Sequence, residues 1–172
     1  MDLSAYNRIA VIGCPGSGKS TLSRSIAERT GHPLIHLDYE RWSHGWIAMP
    51  KDEFVALQRE WVKADCWLID GNYGGTMEIR FAAADLVIFL DLPRTVCMWR
   101  ALKRLGKERP DMKPGMGNPS PKETIAFWVF ILRFRRKKRP GVLALQEKYP
   151  NVKFVQLRTR KQVKAFLENS IN

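Results

Sequence analysis

Gly13-Cys14-Pro15-Gly16-Ser17-Gly18-Lys19-Ser20, followed by Thr21, satisfies the pattern G-x-x-x-x-G-K-[ST], the phosphate-binding P-loop. Ile9-Ala10-Val11-Ile12 before it is a short apolar run suited to a buried strand, and Thr21 to Arg29 after it places Leu22 and Ile26 on one helical face. A chance Gly/Ser turn does not require that strand-loop-helix order. The glycines allow close approach and left-handed angles, so successive N–H groups can converge on phosphate oxygens at a helix N-terminus. In such a loop Lys19 reaches the β- and γ-phosphates and the Ser20 hydroxyl ligates Mg²⁺.

The chain has 172 residues and is 45% hydrophobic, enough for one core, so residues 1–172 are expected to form a single domain. Met1 to Asn7 lacks an apolar signal-peptide core, and Ile125 to Leu132 is too short to span a bilayer, which predicts a cytoplasmic protein with no membrane span. Cys14, Cys66 and Cys97 show no paired metal-site spacing, and His32, His36 and His44 form no ligand motif. Cys14 reads either as a redox-sensitive thiol or as a small inert filler. The net charge is +12, and residues 94–139 hold fourteen Lys/Arg against three acids, a net +11. That concentration points to an anionic partner, either a phosphate-bearing small molecule or nucleic acid.

Gly31-His32-Pro33 stops the first helix, and Leu34 to Leu37 reads as a strand delivering Asp38 to its carboxyl end, where ligands of open α/β sheets gather. Tyr39 to Met49 carries Arg41, Trp42, His44 and Trp46 without periodicity, as an acceptor pocket or a small packed subdomain. Pro50 to about residue 64 is helical, and 39–64 together reads as an acceptor-side insertion. Trp67-Leu68-Ile69 then ends in Asp70-Gly71, an acid after an apolar strand, as in a Walker-B metal site. Arg80 lies in a short helical stretch and Leu86 to Leu90 is a further buried strand. The next helix runs to about Gly106, with Arg100, Arg104 and Lys107 on one face and Val96, Trp99, Leu102 and Leu105 on an apolar one. Residues 106–121 contain three Gly and four Pro and read as a mobile lid. Ile125 to Leu132 reads as a buried helix, or else an exposed partner surface, leading into the basic run Arg133 to Arg139. Val152 to Leu157 is the last strand, and Thr159 with Gln162 is spaced as a capping box for the closing helix.

With these pieces placed, the chain resembles adenylate-kinase-like P-loop kinases and, within them, the FlaR-type family of DNA topology modulation proteins. The likeness rests on Gly13 to Thr21, Leu37-Asp38, Trp67 to Tyr73 and Val87 to Arg94. It implies a three-layer α/β P-loop NTPase fold with a five-stranded parallel sheet, ATP as donor and Mg²⁺ as cofactor. Gly13, Cys14, Pro15, Gly16, Ser17, Gly18, Lys19, Ser20 and Thr21 would hold the nucleotide, with Ser20 and Asp70 at the metal. Arg100 and Arg104 resemble the arginine pair leading into the lid of adenylate kinases, and Arg109 and Arg136 are further lid-side candidates.

The likeness also has departures. Adenylate kinases follow the acid-glycine pair with Phe-Pro-Arg, whose arginine meets the acceptor phosphate. Here Asn72-Tyr73-Gly74 follows, and the nearest later arginine is Arg80. The acceptor candidates are therefore Asp38, Arg41, Trp42 and Arg80. Phosphoryl transfer to a nucleoside, nucleotide or other metabolite is the leading expectation; an ATP-switched DNA-associated regulator and an acceptor-free ATPase are its alternatives.

Overall fold

The structure is a computed structural model that describes residues 1–107 and 110–170. In chain order it contains β1 (Arg8–Gly13), α1 (Lys19–Thr30), β2 (Leu34–His36), α2 (Leu37–Arg41), β3 (Trp42–Ser43), a 3₁₀ turn (His44–Trp46), β4 (Ile47–Ala48), α3 (Lys51–Trp61), β5 (Trp67–Asp70) and α4 (Met77–Ala83). There follow β6 (Leu86–Leu90), α5 (Arg94–Leu102), α6 (Pro121–Lys137), α7 (Arg139–Lys148), β7 (Lys153–Leu157) and α8 (Arg160–Asn169). Among the described residues, no helix is long and apolar enough to cross a membrane.

Five strands pair in the order β2-β5-β1-β6-β7, all parallel. The apolar strands are buried on both faces because helices cover both sides. Ile9 and Val11 of β1 pack with Leu22 and Ile26 of α1 on one face. Ala10 and Ile12 pack on the other with Phe54 of α3, Phe81 of α4, Cys97 of α5 and Phe134 of α6. This is the expected three-layer α/β P-loop NTPase fold. The pairings Val11 with Asp70, His36 with Asp70 and Gly13 with Leu90 bring the carboxyl ends of four strands level. Loops carrying chemistry meet along that edge.

Several local expectations change. The apparent strand at residues 34–37 stops at His36, and Asp38 sits in the first turn of α2. The helix expected to reach Gly106 ends at Leu102, and it buries Cys97 and Ala101 while Trp99 and Leu102 are exposed. Ile125, Val129 and Leu132 of α6 are also exposed, whereas Ile131 and Phe134 enter the core. Periodicity identifies a helical face without saying which face meets the sheet. The basic run spans the end of α6 and the start of α7, and the capping box at Thr159 and Gln162 is formed at α8.

Candidate functional site

The P-loop leaves β1 at Gly13 and enters α1 at Gly18, whose left-handed φ of 98° makes the N-cap. No side chain caps this helix start and its first turn carries no acid, so its N–H groups suit an anion. Gly16 has φ +81°, and a Cβ there would lie 2.1 Å from the Cys97 carbonyl oxygen, so the loop lies tight against α5. Lys19 Nζ donates to the Cys14 carbonyl at 3.3 Å. The Cys14 thiol is buried; its interaction with the Cys97 thiol, together with burial, pushes its pKa up and favours the inert-filler reading.

Ser20 Oγ donates to Asp111 Oδ2 at 2.7 Å, which brings a buried carboxylate from the 106–121 loop onto α1. At the end of β5, Asp70 Oδ1 bonds His36 Nδ1 at 2.8 Å. Burial alone would lower the His36 pKa, but the hydrogen bond and charge of Asp70, helped by Asp111, raise it overall. Asp70 Oδ2 is buried without a hydrogen-bond partner. Such an oxygen has been desolvated without recompense, and a hydrated divalent cation would restore its interactions. Among the described residues, no group of three or more His, Cys, Asp or Glu could hold a metal alone. A serine hydroxyl and a carboxylate beside a phosphate-binding loop nevertheless fit Mg²⁺, which keeps several waters and takes substrate phosphates as ligands.

Across the edge, Tyr73 Oη donates to Asp38 Oδ1 at 2.8 Å and accepts from Trp42 Nε1 at 3.1 Å. Trp42 and Trp46 meet edge to face at 5.8 Å. Trp46 Nε1 donates to the Gly117 carbonyl, and the His44 ring contacts the Gly115 carbonyl, each at 3.2 Å, which ties the β3-β4 hairpin to the 106–121 loop. A cavity of about 1100 Å³ runs between the two sides, with Lys19 and Ser20 on one wall and Asp38, Trp42, Trp46 and Tyr73 on the other. The 106–121 loop and α6 complete it. Arg104 also lines it.

Other expected site residues lie elsewhere. Arg100 Nη1 donates to the Ser17 carbonyl at 3.0 Å and braces the P-loop from outside. Arg41 stacks its guanidinium over Phe54 at 5.3 Å and does not line the cavity. Arg80 is fully buried and donates to the carbonyls of Gly71 and Asn72 at 2.8 and 3.2 Å, which corrects its expected place at the acceptor. Arg136 is exposed and does not line the cavity. Its neighbours Arg135 and Arg139 pair with the buried Asp91 at 3.6 and 2.8 Å. Arg109 lies outside the described residues. The sequence pattern did not mark Asp111, His36 or Tyr73 as site residues; Tyr73 alone carried a signal, because it stands in the departing Asn72-Tyr73-Gly74 segment.

No family model matches the chain. It is similar to a Thermococcus onnurineus (strain NA1) protein named "Putative adenylate kinase", 24% identical over 84% of this chain and 94% of that one. Solved structures with a similar fold include a sugar kinase from Janibacter sp. HTCC2649, with TM-score 0.55 and 16% identity over 95% of this chain and 91% of that one. A gluconokinase from Sinorhizobium meliloti 1021 matches at TM-score 0.54 and 16% identity, over 96% and 89%. Shikimate kinase from Bacteroides thetaiotaomicron matches at 0.55 and 20%, over 95% and 96%. Fold and P-loop together show an α/β protein with the P-loop NTPase fold.

Proposed function

We propose that the chain transfers the γ-phosphoryl group of ATP to a hydroxyl group of a small molecule. The observation that carries this reading is the position of Asp38: held by Tyr73, it faces the same cavity as Lys19 and Ser20. A carboxylate opposite a phosphate loop can orient a hydroxyl and accept its proton. Arg80, the nearest later arginine in the sequence, is committed to backbone carbonyls and does not line the cavity. Trp42 and Trp46 offer an apolar wall for the body of the acceptor. The sugar, gluconate and shikimate kinases that share the fold are consistent with this acceptor class.

In this mechanism the P-loop N–H groups and Lys19 would hold the β- and γ-phosphates, and Ser20 and Asp70 would hold Mg²⁺, which would supply charge neutralisation at the phosphates. Asp38 takes the proton as the acceptor oxygen bonds to the γ-phosphorus, the bond to the β-phosphate oxygen breaks, and ADP leaves. Arg104 supplies positive charge to the transferring group, and the 106–121 segment acts as a lid that excludes water. Arg100 supports the loop's shape.

The FlaR-type resemblance remains compatible with this reading. A DNA-binding role is weaker, because Arg100, Arg135 and Arg139 of the basic segment are occupied within the fold and Arg104 faces the cavity. The test is ADP release from ATP·Mg²⁺ across sugars, polyols, hydroxy acids, nucleosides and nucleoside monophosphates, with Lys19→Ala as the blank. Stimulation by a hydroxyl compound, reduced about 10²-fold or more by Asp38→Asn, is expected. Stimulation by nucleoside monophosphates alone would overturn the acceptor class.

A further inference from the structure

We infer that the outward face of α5 and α6 docks the protein on an anionic phospholipid bilayer, with apolar side chains entering the acyl boundary and lysines and arginines meeting lipid phosphates. Both helices cover the same side of the sheet and pack against each other: Cys97 and Ala101 of α5 enter one core layer with Ile131 and Phe134 of α6. Trp99 stands about 200° round the helix from Cys97 and from Ala101, so it points away from the sheet. It is 58% exposed, and Leu102, three residues on, is exposed beside it. On α6 the side opposite Ile131 and Phe134 carries Lys122, Ile125, Val129, Leu132 with Arg133, and Arg136 at helical spacing, all exposed. Ile125, at 64%, is the most exposed of these apolar side chains. None of Trp99, Leu102, Ile125, Val129 and Leu132 lines the cavity, so docking through them is independent of the phosphoryl-transfer reading.

Charge selects the occupant of this face. α5 and α6 carry one acid between them, Glu123, and its carboxylate is committed to the Ser120 N–H in the capping box. Among the described residues, no carboxylate pairs with Lys103, Lys122, Arg133 or Arg136. Lys103 Nζ lies instead over the Trp99 ring, 4.9 Å from its centroid. A second copy of the chain would set these cations against themselves across a two-fold axis. Duplex DNA would answer the charge but would press phosphates onto the apolar stripe. An acidic protein would need pockets shaped to side chains that project from two helices, whereas a bilayer closes around them without such complementarity. Helices lying in a membrane surface combine the same features: apolar side chains at the acyl boundary, tryptophan at headgroup depth, and long cations reaching the phosphates. No described helix is long and apolar enough to span a membrane, so α5 and α6 would lie on its surface.

The test is flotation of the whole protein with vesicles of phosphatidylcholine and of phosphatidylcholine mixed with phosphatidylglycerol, each at low and high salt. Binding to the anionic vesicles that weakens with salt is expected, with little binding to the neutral ones. Lys122→Gln with Arg133→Gln should weaken it about 10-fold or more, because each cation near such a surface contributes several-fold. Ile125→Gln with Val129→Gln, which leaves the core untouched, should cost a similar factor. Brominated phosphatidylglycerol gives a readout that does not depend on loss of binding: it should quench tryptophan fluorescence in wild type and far less in Trp99→Phe. No binding to anionic vesicles at low salt would overturn the inference, as would equal binding to neutral vesicles or binding that either pair of substitutions leaves intact. Quenching that persists in full in Trp99→Phe would put another face at the membrane, and polyglutamate bound in preference to vesicles would make this a protein-docking face; either result overturns it too.

Discussion

Tyr73 Oη donates its proton to Asp38 Oδ1 across 2.8 Å, joining the turn after β5 to the first turn of α2. Burial and the Asp38 charge both push the Tyr73 pKa up, so the phenol keeps its proton and remains the donor throughout the neutral range. Trp42 Nε1 donates to the same phenolic oxygen and fixes the ring. Tyr73 adopts φ +24°, a backbone region that costs a non-glycine residue about 1–3 kcal/mol. Tyr73→Phe should therefore lower kcat about tenfold, the worth of one hydrogen bond to a charged group, with ATP affinity unchanged. Steady-state kinetics with the best acceptor, beside ATP titrations, separates the two. A variant with full kcat would show that Asp38 needs no such support.

Arg80 acts on the other side of that turn. It is buried, its guanidinium satisfies the Gly71 and Asn72 carbonyls, and burial depresses its pKa to about 10, partly offset by the charge of Asp70. It remains a cation at neutral pH. Arg80→Leu removes the hydrogen bonds and leaves two carbonyls unpaired, so urea unfolding should show a loss of about 2–4 kcal/mol. The folded fraction should keep its KM for the acceptor. A raised acceptor KM with stability intact would return Arg80 to the acceptor site.

The contrast between these residues marks what local sequence can carry. Ile9 to Ser20 determine strand, loop and helix within a dozen positions, and the end of β5 at Asp70 is equally local. The identity of a helix's buried face is not: Trp99 and Leu102 are as apolar as Cys97 and Ala101, yet the chirality and placement of α5 turn the smaller pair inward. Arg80 and Arg100 were visible as cations, but their partners are backbone carbonyls, which leave no mark in the sequence. Asp111 sits in a loop with no periodicity, and only the tertiary fold brings it to Ser20.

Gly16 tests how closely the P-loop is fitted to α5. A methyl group would stand 2.1 Å from the Cys97 carbonyl at a φ of +81°, so Gly16→Ala must displace backbone. Gly45, at φ +74° with open space for 4 Å around an added methyl, carries only the conformational cost. Gly45→Ala should lose about 1 kcal/mol, whereas Gly16→Ala should lose at least about 2 kcal/mol and most of its ATP affinity. Chemical denaturation and ATP titration of the two variants side by side provide the comparison. Equal losses would mean that the loop can yield without consequence.

Asp85 links acid stability to the pairing of β1 with β6. Arg8 donates to it twice, from its backbone N–H at 2.9 Å and from Nη2 at 3.0 Å. Partial burial alone would raise the carboxyl pKa, but the Arg8 bonds and charge outweigh it and hold the group below the ordinary aspartate value. A folded-state pKa lowered in this way adds stability that is present above the unfolded pKa of about 4 and is lost as pH falls through the folded value. Because both side chains are substantially solvated, the pair should contribute less than about 1 kcal/mol. Asp85→Asn should therefore melt slightly below wild type at pH 7, and the gap should close as the pH falls below the unfolded aspartate value of about 4. Thermal midpoints across that range check the sign: a gap that stays constant would place the stabilisation in packing, with no contribution from the Asp85 charge.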